Sequence, residues 1–508
     1  MIAEARQSRP QRLILPDDAH NRSLIESVHP AAWKNPTPGG RYNLVVIGGG
    51  TAGLVCAAGA AGLGAKVALV ERHLLGGDCL NFGCVPSKGL LRASRAAHAV
   101  REAPAFGVRV GAVAPDFAEA MARMRELRAR IAPHDSAKRM SELGVDVYLG
   151  EARFAARDAI EVAGQRLSFA RAVLATGARA SSLPIPGLAD AGFLTNETVF
   201  SLTELPRRLV VIGGGPIGCE LSQAFRRLGS EVTMVDRAPR LLPRDDEDAA
   251  AVLAKRFAEE GIATRLSAKL LRVERNPGGK VVSLERDGRT EDVQGDEILV
   301  AIGRAPNVEG LGLDVAGVAI GKGGVQVDDR LRTTNPRVYA AGDVCSAWKF
   351  THAADAMARI VLQNVLFFGC KRTSALVIPW CTYTDPEIAH VGIDRPEAER
   401  RGALTFTVPL GEVDRAVLDR EAEGFARVHL DRGGRLLGAT MVASHAGEMI
   451  GEMSLALTAG LSMKTVGATV HPYPTQAEAW KKLGDQWART RLTPRAHGVL
   501  ERVLRWRR

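Results

Sequence analysis

Between Gly76 and Lys88 the chain reads G-G-D-C-L-N-F-G-C-V-P-S-K, and its two cysteines, Cys79 and Cys84, are the residues whose type and spacing most suit chemistry. Cysteines five apart on a straight helix are separated by an axial rise of roughly 7.5 Å. That exceeds the roughly 7 Å that a disulfide spans between Cα atoms. If the two pair, the start of the helix must be bent, and a strained disulfide is the more easily reduced. Gly76, Gly77 and Gly83 give the backbone room to bend, and Pro86 suits a first helical turn. The pair reads as a working redox disulfide. The alternative is two buried, inert thiols, the ordinary fate of cysteine in a reducing compartment.

The elements around the pair sharpen that reading. Upstream, Asn43 to Gly53 reads N-L-V-V-I-G-G-G-T-A-G, an apolar β-branched run followed by G-x-G-x-x-G. A helix rich in small residues follows through Ala61, and a second apolar run, Lys66 to Val70, ends in Glu71. These are the parts of a dinucleotide-binding βαβ unit. Gly48 makes the turn, Gly50 admits the pyrophosphate, Gly53 packs helix on strand, and Glu71 reaches a ribose hydroxyl.

The pattern then repeats. Arg208 to Gly218 reads R-L-V-V-I-G-G-G-P-I-G, with Gly213, Gly215 and Gly218 as the second fingerprint, and the run Glu231 to Val235 ends at Asp236. Two copies imply two dinucleotides. An A-T-G turn containing Thr176 and Gly177 is mirrored by an A-I-G turn ending at Gly303. Val338 to Asp343 (V-Y-A-A-G-D) is expected to be a buried strand ending in Gly342 and the acid Asp343. Lys88 to about Met140 reads as helical. Beyond Pro379, alternating strands and two helices suggest an α+β cap.

Composition bounds the class. The 508 residues, 46% of them hydrophobic, suffice for several domains. No stretch approaches the roughly 18 uncharged apolar residues of a membrane span, and Met1 to Pro10 lacks the apolar core of a secretory signal. Seven scattered cysteines (Cys56, Cys79, Cys84, Cys219, Cys345, Cys370, Cys381) form no disulfide framework, so a cytoplasmic location is expected. The net charge of +10 is spread along the chain without an aromatic-and-basic stripe, which argues against a nucleic-acid partner. Arg502 to Arg508 (R-V-L-R-W-R-R) is the one concentrated patch. Val499, Leu500, Val503, Leu504 and Trp506 would line one side of a helix there, suited either to a membrane surface or to packing within a dimer.

This order of parts resembles the flavin-dependent pyridine nucleotide–disulfide oxidoreductases, the group of dihydrolipoamide dehydrogenase, glutathione reductase and mercuric reductase. The resemblance covers residues 41 to 485. It implies an α/β fold with two Rossmann-like domains, for FAD and NAD(P), plus a carboxy-terminal α+β dimerisation domain. The boundaries it suggests are 1–40 for an extension, 41–190 for the FAD-binding domain with the redox pair, and 191–310 for the NAD(P)-binding domain. Residues 311–374 would return to the FAD domain, 375–485 would form the dimerisation domain, and 486–508 a basic tail. The resemblance also makes Cys84 the thiol at the flavin and Cys79 the thiol that meets substrate, with Lys88 beside the flavin and Glu220 its ion-pair partner. Asp343 would hold the ribityl chain.

For the nicotinamide, Asp236 would bond a ribose 2′-hydroxyl and repel a 2′-phosphate, favouring NADH. Arg237 and Arg240 follow, and an arginine here can hold the phosphate of NADPH. Mercuric reductases have arginine at the position of Arg237 but lack the acid. NADH is the expected donor.

Disulfide reductases of this group carry H-P-T-x-x-E near the carboxyl end, with the histidine as acid/base for the partner subunit's dithiol. Here the segment is H-P-Y-P-T-Q-A-E, from His471 to Glu478. Counting back five from Glu478 gives Tyr473, as in mercuric reductases; a two-residue insertion would instead leave His471 in the catalytic role. Mercuric reductases also carry a vicinal cysteine pair at the carboxyl end, and many carry an amino-terminal metal-binding module. Here no cysteine follows Cys381 and none lies in residues 1–40. Three readings stay open. One is a homodimeric FAD enzyme passing NAD(P)H electrons through Cys79 and Cys84 to Hg(II) or another thiol-reactive electrophile. Another is a disulfide reductase using His471. The third is a flavin-binding protein held to a membrane or a partner by its basic tail, with turnover incidental.

Overall fold

The computed structural model describes residues 14–112, 114–367 and 369–508. The first part of the expected extension, residues 1–13, lies outside them. The chain divides into two compact units. One holds the residues up to Gly213, Ala224–Thr233 and Leu270–Ala375; the other holds Gly214–Gln223, Met234–Lys269 and Leu376–Arg508. The 191–310 segment is therefore shared between the two.

In the first unit, the apolar β-branched runs form a parallel sheet. The strand Tyr42–Ile47 pairs with Val67–Glu71 on one side and with Gln165–Leu174 on the other. The strands Val145–Leu149 and Val338–Ala340 continue the sheet at either side. Leu44, Val45 and Val46 are fully buried, as expected of strands covered on both faces. The helix Thr51–Gly62 follows the first strand, and its small residues let another helix, Thr351–Leu366, come close. A Cβ on Gly59 would stand 2.6 Å from Leu362 Cδ1, and the Cys56 thiol reaches Ala358 O at 3.8 Å. The second motif's strand, Arg208–Ile212, pairs in parallel with Glu297–Val300.

The expected helix from Lys88 to Met140 is interrupted. The helix Cys84–Glu102 runs into a 3-10 turn that ends at Gly107 (φ +79°), and the next helix, Phe117–Ile131, starts at an Asp116 cap. Pro104, at the turn's start, and Gly107 account for the break. In the second unit, an antiparallel sheet runs Trp380–Thr382, Glu387–Gly392, Leu436–Ala443, Phe425–Leu430, Leu404–Pro409. More helices pack there than the two expected. Ala446–Thr458 and Glu478–Thr490 bury Met453, Trp480 and Leu483 against that sheet, and Gly467 meets Gly484 in a close crossing. The tail forms a further helix, Pro494–Trp506, with Val499, Leu500, Val503, Leu504 and Trp506 all exposed. Among the described residues, no helix is long and apolar enough to cross a membrane.

Candidate active site

The bend required between the cysteines is present. Cys79 lies in a five-residue helix, Gly77–Asn81, and Cys84 opens the helix Cys84–Glu102. Phe82 and Gly83 between them leave helical geometry, with Gly83 at φ −126°, ψ −114°. Gly76 (φ +83°) and Gly77 (φ +58°) occupy left-handed backbone that strains other residues. A Cβ on Gly77 would also lie 2.6 Å from Gly50 Cα, so the redox segment rests directly on the first glycine loop.

Both cysteines are free thiols, with Cys84 exposed and Cys79 half-buried. They share one hydrogen bond, with Cys79 as donor. That bond, the Thr351 hydroxyl and the charge of Lys88 outweigh burial and bring the Cys84 thiol down to about 6; Asp78 acts in the opposite direction. Its own donor role, together with burial, pushes the Cys79 thiol well above its usual range. Thr351 Oγ1 stands 3.4 Å from Cys84 Sγ at the start of its helix. The shared hydrogen bond and the Lys88 charge thus favour the thiolate at Cys84 over that at Cys79.

Asp78 is held from two sides. Arg304 Nη1 lies 3.0 Å from its Oδ2, and Asn196 Nδ2 donates to its Oδ1 at 3.0 Å. Arg304 also faces Asp343 Oδ2, at 3.3 Å from Nε. Thr351, Arg304, Asn196 and Asp78 were not singled out from the sequence. Only position could have flagged two of them: Asp78 precedes Cys79, and Arg304 follows the A-I-G turn.

The two glycine loops are built alike. Gly48 (φ +106°) and Gly213 (φ +119°) each abut a strand-end carbonyl: an added Cβ would lie 2.4 Å from Ala175 O or 2.5 Å from Ala301 O. Glu71 Oε2 accepts from Gly49 N at 2.6 Å, as Asp236 Oδ2 accepts from Gly214 N. Each acid takes a second amide, His73 N for Glu71 and Ala238 N for Asp236. A Cβ on Gly53 would fall 1.8 Å from Gly48 O, so that glycine locks helix to loop. By contrast, a Cβ on Gly177, Gly215 or Gly303 would meet nothing within 4 Å, and one on Gly50 nothing nearer than 3.6 Å. Space is thus open where a dinucleotide would approach the backbone, and these residues fit FAD at the first loop and a nicotinamide dinucleotide at the second. Thr176 Oγ1 donates to Asn307 O at 2.7 Å, and Gly342 (φ +80°) turns the chain just before Asp343. Gly218 lies in the first turn of the helix Pro216–Leu228 and Arg237 is exposed.

In the second unit, Glu220 is buried and its Oε1 accepts from Tyr383 N at 2.9 Å. His471 has both ring nitrogens engaged: Nδ1 with Thr469 O at 3.0 Å and Nε2 with both Glu452 oxygens at 3.2 Å. Its side chain is only 6% exposed. Tyr473 is 70% exposed and donates to Asp414 Oδ2 at 2.8 Å. Glu478 Oε2 is buried and has no hydrogen-bond partner among the described residues.

Residues 42–358 match the family model described as pyridine nucleotide-disulphide oxidoreductase, and residues 378–483 match that family's dimerisation domain. The chain is 35% identical to a mercuric reductase of Bacillus cereus, over 87% of this chain and 70% of the relative. It is 36% identical to a dihydrolipoyl dehydrogenase of Thermus scotoductus, over 86% of this chain and 95% of that one. A solved structure, the HOCl-induced flavoprotein disulfide reductase RclA from Escherichia coli, aligns with a TM-score of 0.79 at 28% identity, covering 87% of this chain and 99% of that one.

Proposed function

The chain belongs to the pyridine nucleotide–disulphide oxidoreductases, and from that premise we propose that it reduces a soft, thiol-reactive electrophile of the Hg(II) type with NADH. FAD would be held by Gly48, Gly50, Gly53, Glu71, Lys88, Thr176, Gly177, Gly342 and Asp343, and when bound it supplies two-electron carriage between nicotinamide and thiols. Gly213, Gly215, Gly218, Asp236, Arg237 and Gly303 would hold the nicotinamide dinucleotide. In net terms, NADH converts the Cys79–Cys84 disulfide to the Cys79 thiol, the Cys84 thiolate and NAD⁺. Cys79 and Cys84 then ligate the soft ion as thiolates, with release of the Cys79 proton. A further NADH reduces Hg(II) to Hg(0), leaving NAD⁺ and one proton. The chain would work as a homodimer, one subunit's carboxy-terminal segment completing the other's thiol site.

The observation that carries this reading is the contrast between His471 and Tyr473. Both are hydrogen-bonded, His471 to Thr469 and Glu452 and Tyr473 to Asp414, but His471 is buried whereas Tyr473 stands exposed five residues before Glu478. Once both thiolates hold the soft ion, its reduction needs no proton donor, and an exposed tyrosine suffices to wall its site. A second reading, a disulfide reductase, is favoured by one feature: the His471–Glu452 pair is itself an arrangement that supports a general base. Replacement of His471 by Ala separates the two. Turnover with the metal ion retained within about threefold supports the first, and loss of about 100-fold or more with disulfides supports the second.

A further inference from the structure

The amino-terminal segment has no part in the redox reading, yet it packs on the helix Phe117–Ile131 and is tied through it to the helix Gly77–Asn81 that carries Cys79. The helix Ala19–Val28 buries Asn21, Leu24 and Val28. Asp18 caps it and pairs with Arg125 Nε at 2.5 Å, and Val28 O accepts from Leu75 N at 3.1 Å. The central contact is Arg128, on the helix Phe117–Ile131 and 1% exposed. Its Nη2 donates to Asn21 Oδ1 and its Nη1 to Asn81 O, each at 2.6 Å. Asn81, two residues after Cys79, is pinned again through its side chain, which donates to Leu75 O and Gly77 O at 3.0 and 2.8 Å.

A buried guanidinium held by two neutral acceptors is a costly arrangement. Asp18, whose charge acts on Arg128, is engaged with Arg125. Burial, together with the like charge of Arg125, pulls Arg128 down to about 10. In return, Arg128 closes a carbonyl at the end of a five-residue helix, where no intrahelical partner exists. One side chain thereby grips the amino-terminal helix and the redox helix together.

We propose that Arg128 and the helix Ala19–Val28 form a brace that holds Cys79 in the bent geometry from which it pairs with Cys84. Arg128 is a positioning residue, and the inference rests on the reading of Cys79–Cys84 as a redox pair. By limiting the freedom of the dithiol, the brace favours the disulfide; loosening it favours the dithiol. The equilibrium is with dithiothreitol, which gives two electrons and two protons to the protein disulfide and closes to its own cyclic disulfide.

The test equilibrates the holoenzyme with dithiothreitol redox buffers, traps thiols with iodoacetamide, and reads Cys79 and Cys84 by peptide mass. Arg128→Lys and Asn21→Leu should each shift the equilibrium constant about threefold or more toward the dithiol, with FAD content unchanged. Asn21→Asp, which keeps an acceptor for Arg128, should retain the wild-type constant. A constant unmoved in Asn21→Leu, with only a lower melting temperature, would overturn the proposal and leave the segment a purely stabilising role. A wild-type protein with no exchangeable Cys79–Cys84 disulfide would remove the redox reading and this inference with it.

Discussion

Arg304 Nη1 lies 3.0 Å from Asp78 Oδ2, and the same guanidinium faces Asp343 at 3.3 Å. The residue before Cys79 and the acid at the end of the V-Y-A-A-G-D strand are therefore tied through one side chain. Burial raises both carboxyls, and the Arg304 charge opposes that rise. A positive centre shared by two acids fixes the redox elbow relative to the strand end, which a lysine point charge would do less well.

The Cys84 thiol is expected to be a thiolate at neutral pH and above, and to gain its proton as pH falls through about 6. Lys88 is one source of that depression, so Lys88→Met should move the titration upward by about one unit. The check is the pH dependence of thiolate absorbance at about 240 nm in the reduced protein, with Cys84→Ser as the reference. An unchanged profile would separate Lys88 from the thiol.

Two neighbouring glycines should fail in different ways. A Cβ on Gly213 would meet Ala301 O at 2.5 Å with φ at +119°, so Gly213→Ala should lower the melting temperature. A Cβ on Gly215 meets nothing in the chain. Gly215→Ala should therefore fold normally and raise the KM for NADH by about tenfold, equivalent to about 1.4 kcal/mol. Equal thermal losses in both variants would contradict the reading of Gly215 as a glycine kept for the dinucleotide.

Asp236 is held in place by Gly214 N and Ala238 N, while Arg240 is committed to Leu242 O and Pro243 O at 2.8 and 2.9 Å. On the proposed reading the acid, rather than the exposed Arg237 beside it, governs the choice of dinucleotide. Asp236→Ala should raise the ratio of NADPH to NADH kcat/KM by roughly tenfold. A constant ratio would count against the assignment of NADH.

What was legible in the sequence is what backbone geometry dictates locally. Gly48, Gly53 and Gly213 sit where a turn or a close crossing excludes a side chain, and the apolar runs become the buried strands. The need for a bend between Cys79 and Cys84 followed from helix rise alone, and Phe82–Gly83 supply it. The contacts that hold the bend were not legible. Arg128 and Asn21 are 107 residues apart, and Arg304 reaches Asp78 from another strand's end. Such pairs leave no periodic trace, because only the tertiary fold brings them together. The helix break is of a different kind: Pro104, Gly107, Gly111 and Pro115 are local breakers already present in the sequence, and they outweigh the helical pattern on either side.

The most direct test of the account is anaerobic NADH oxidation by the purified holoenzyme, with Hg(II) in excess small thiol as acceptor. The account predicts steady NADH loss that persists in His471→Ala and disappears in Cys79→Ala. Reduction of bound FAD by NADH without turnover, or turnover of small disulfides alone that collapses in His471→Ala, would contradict it.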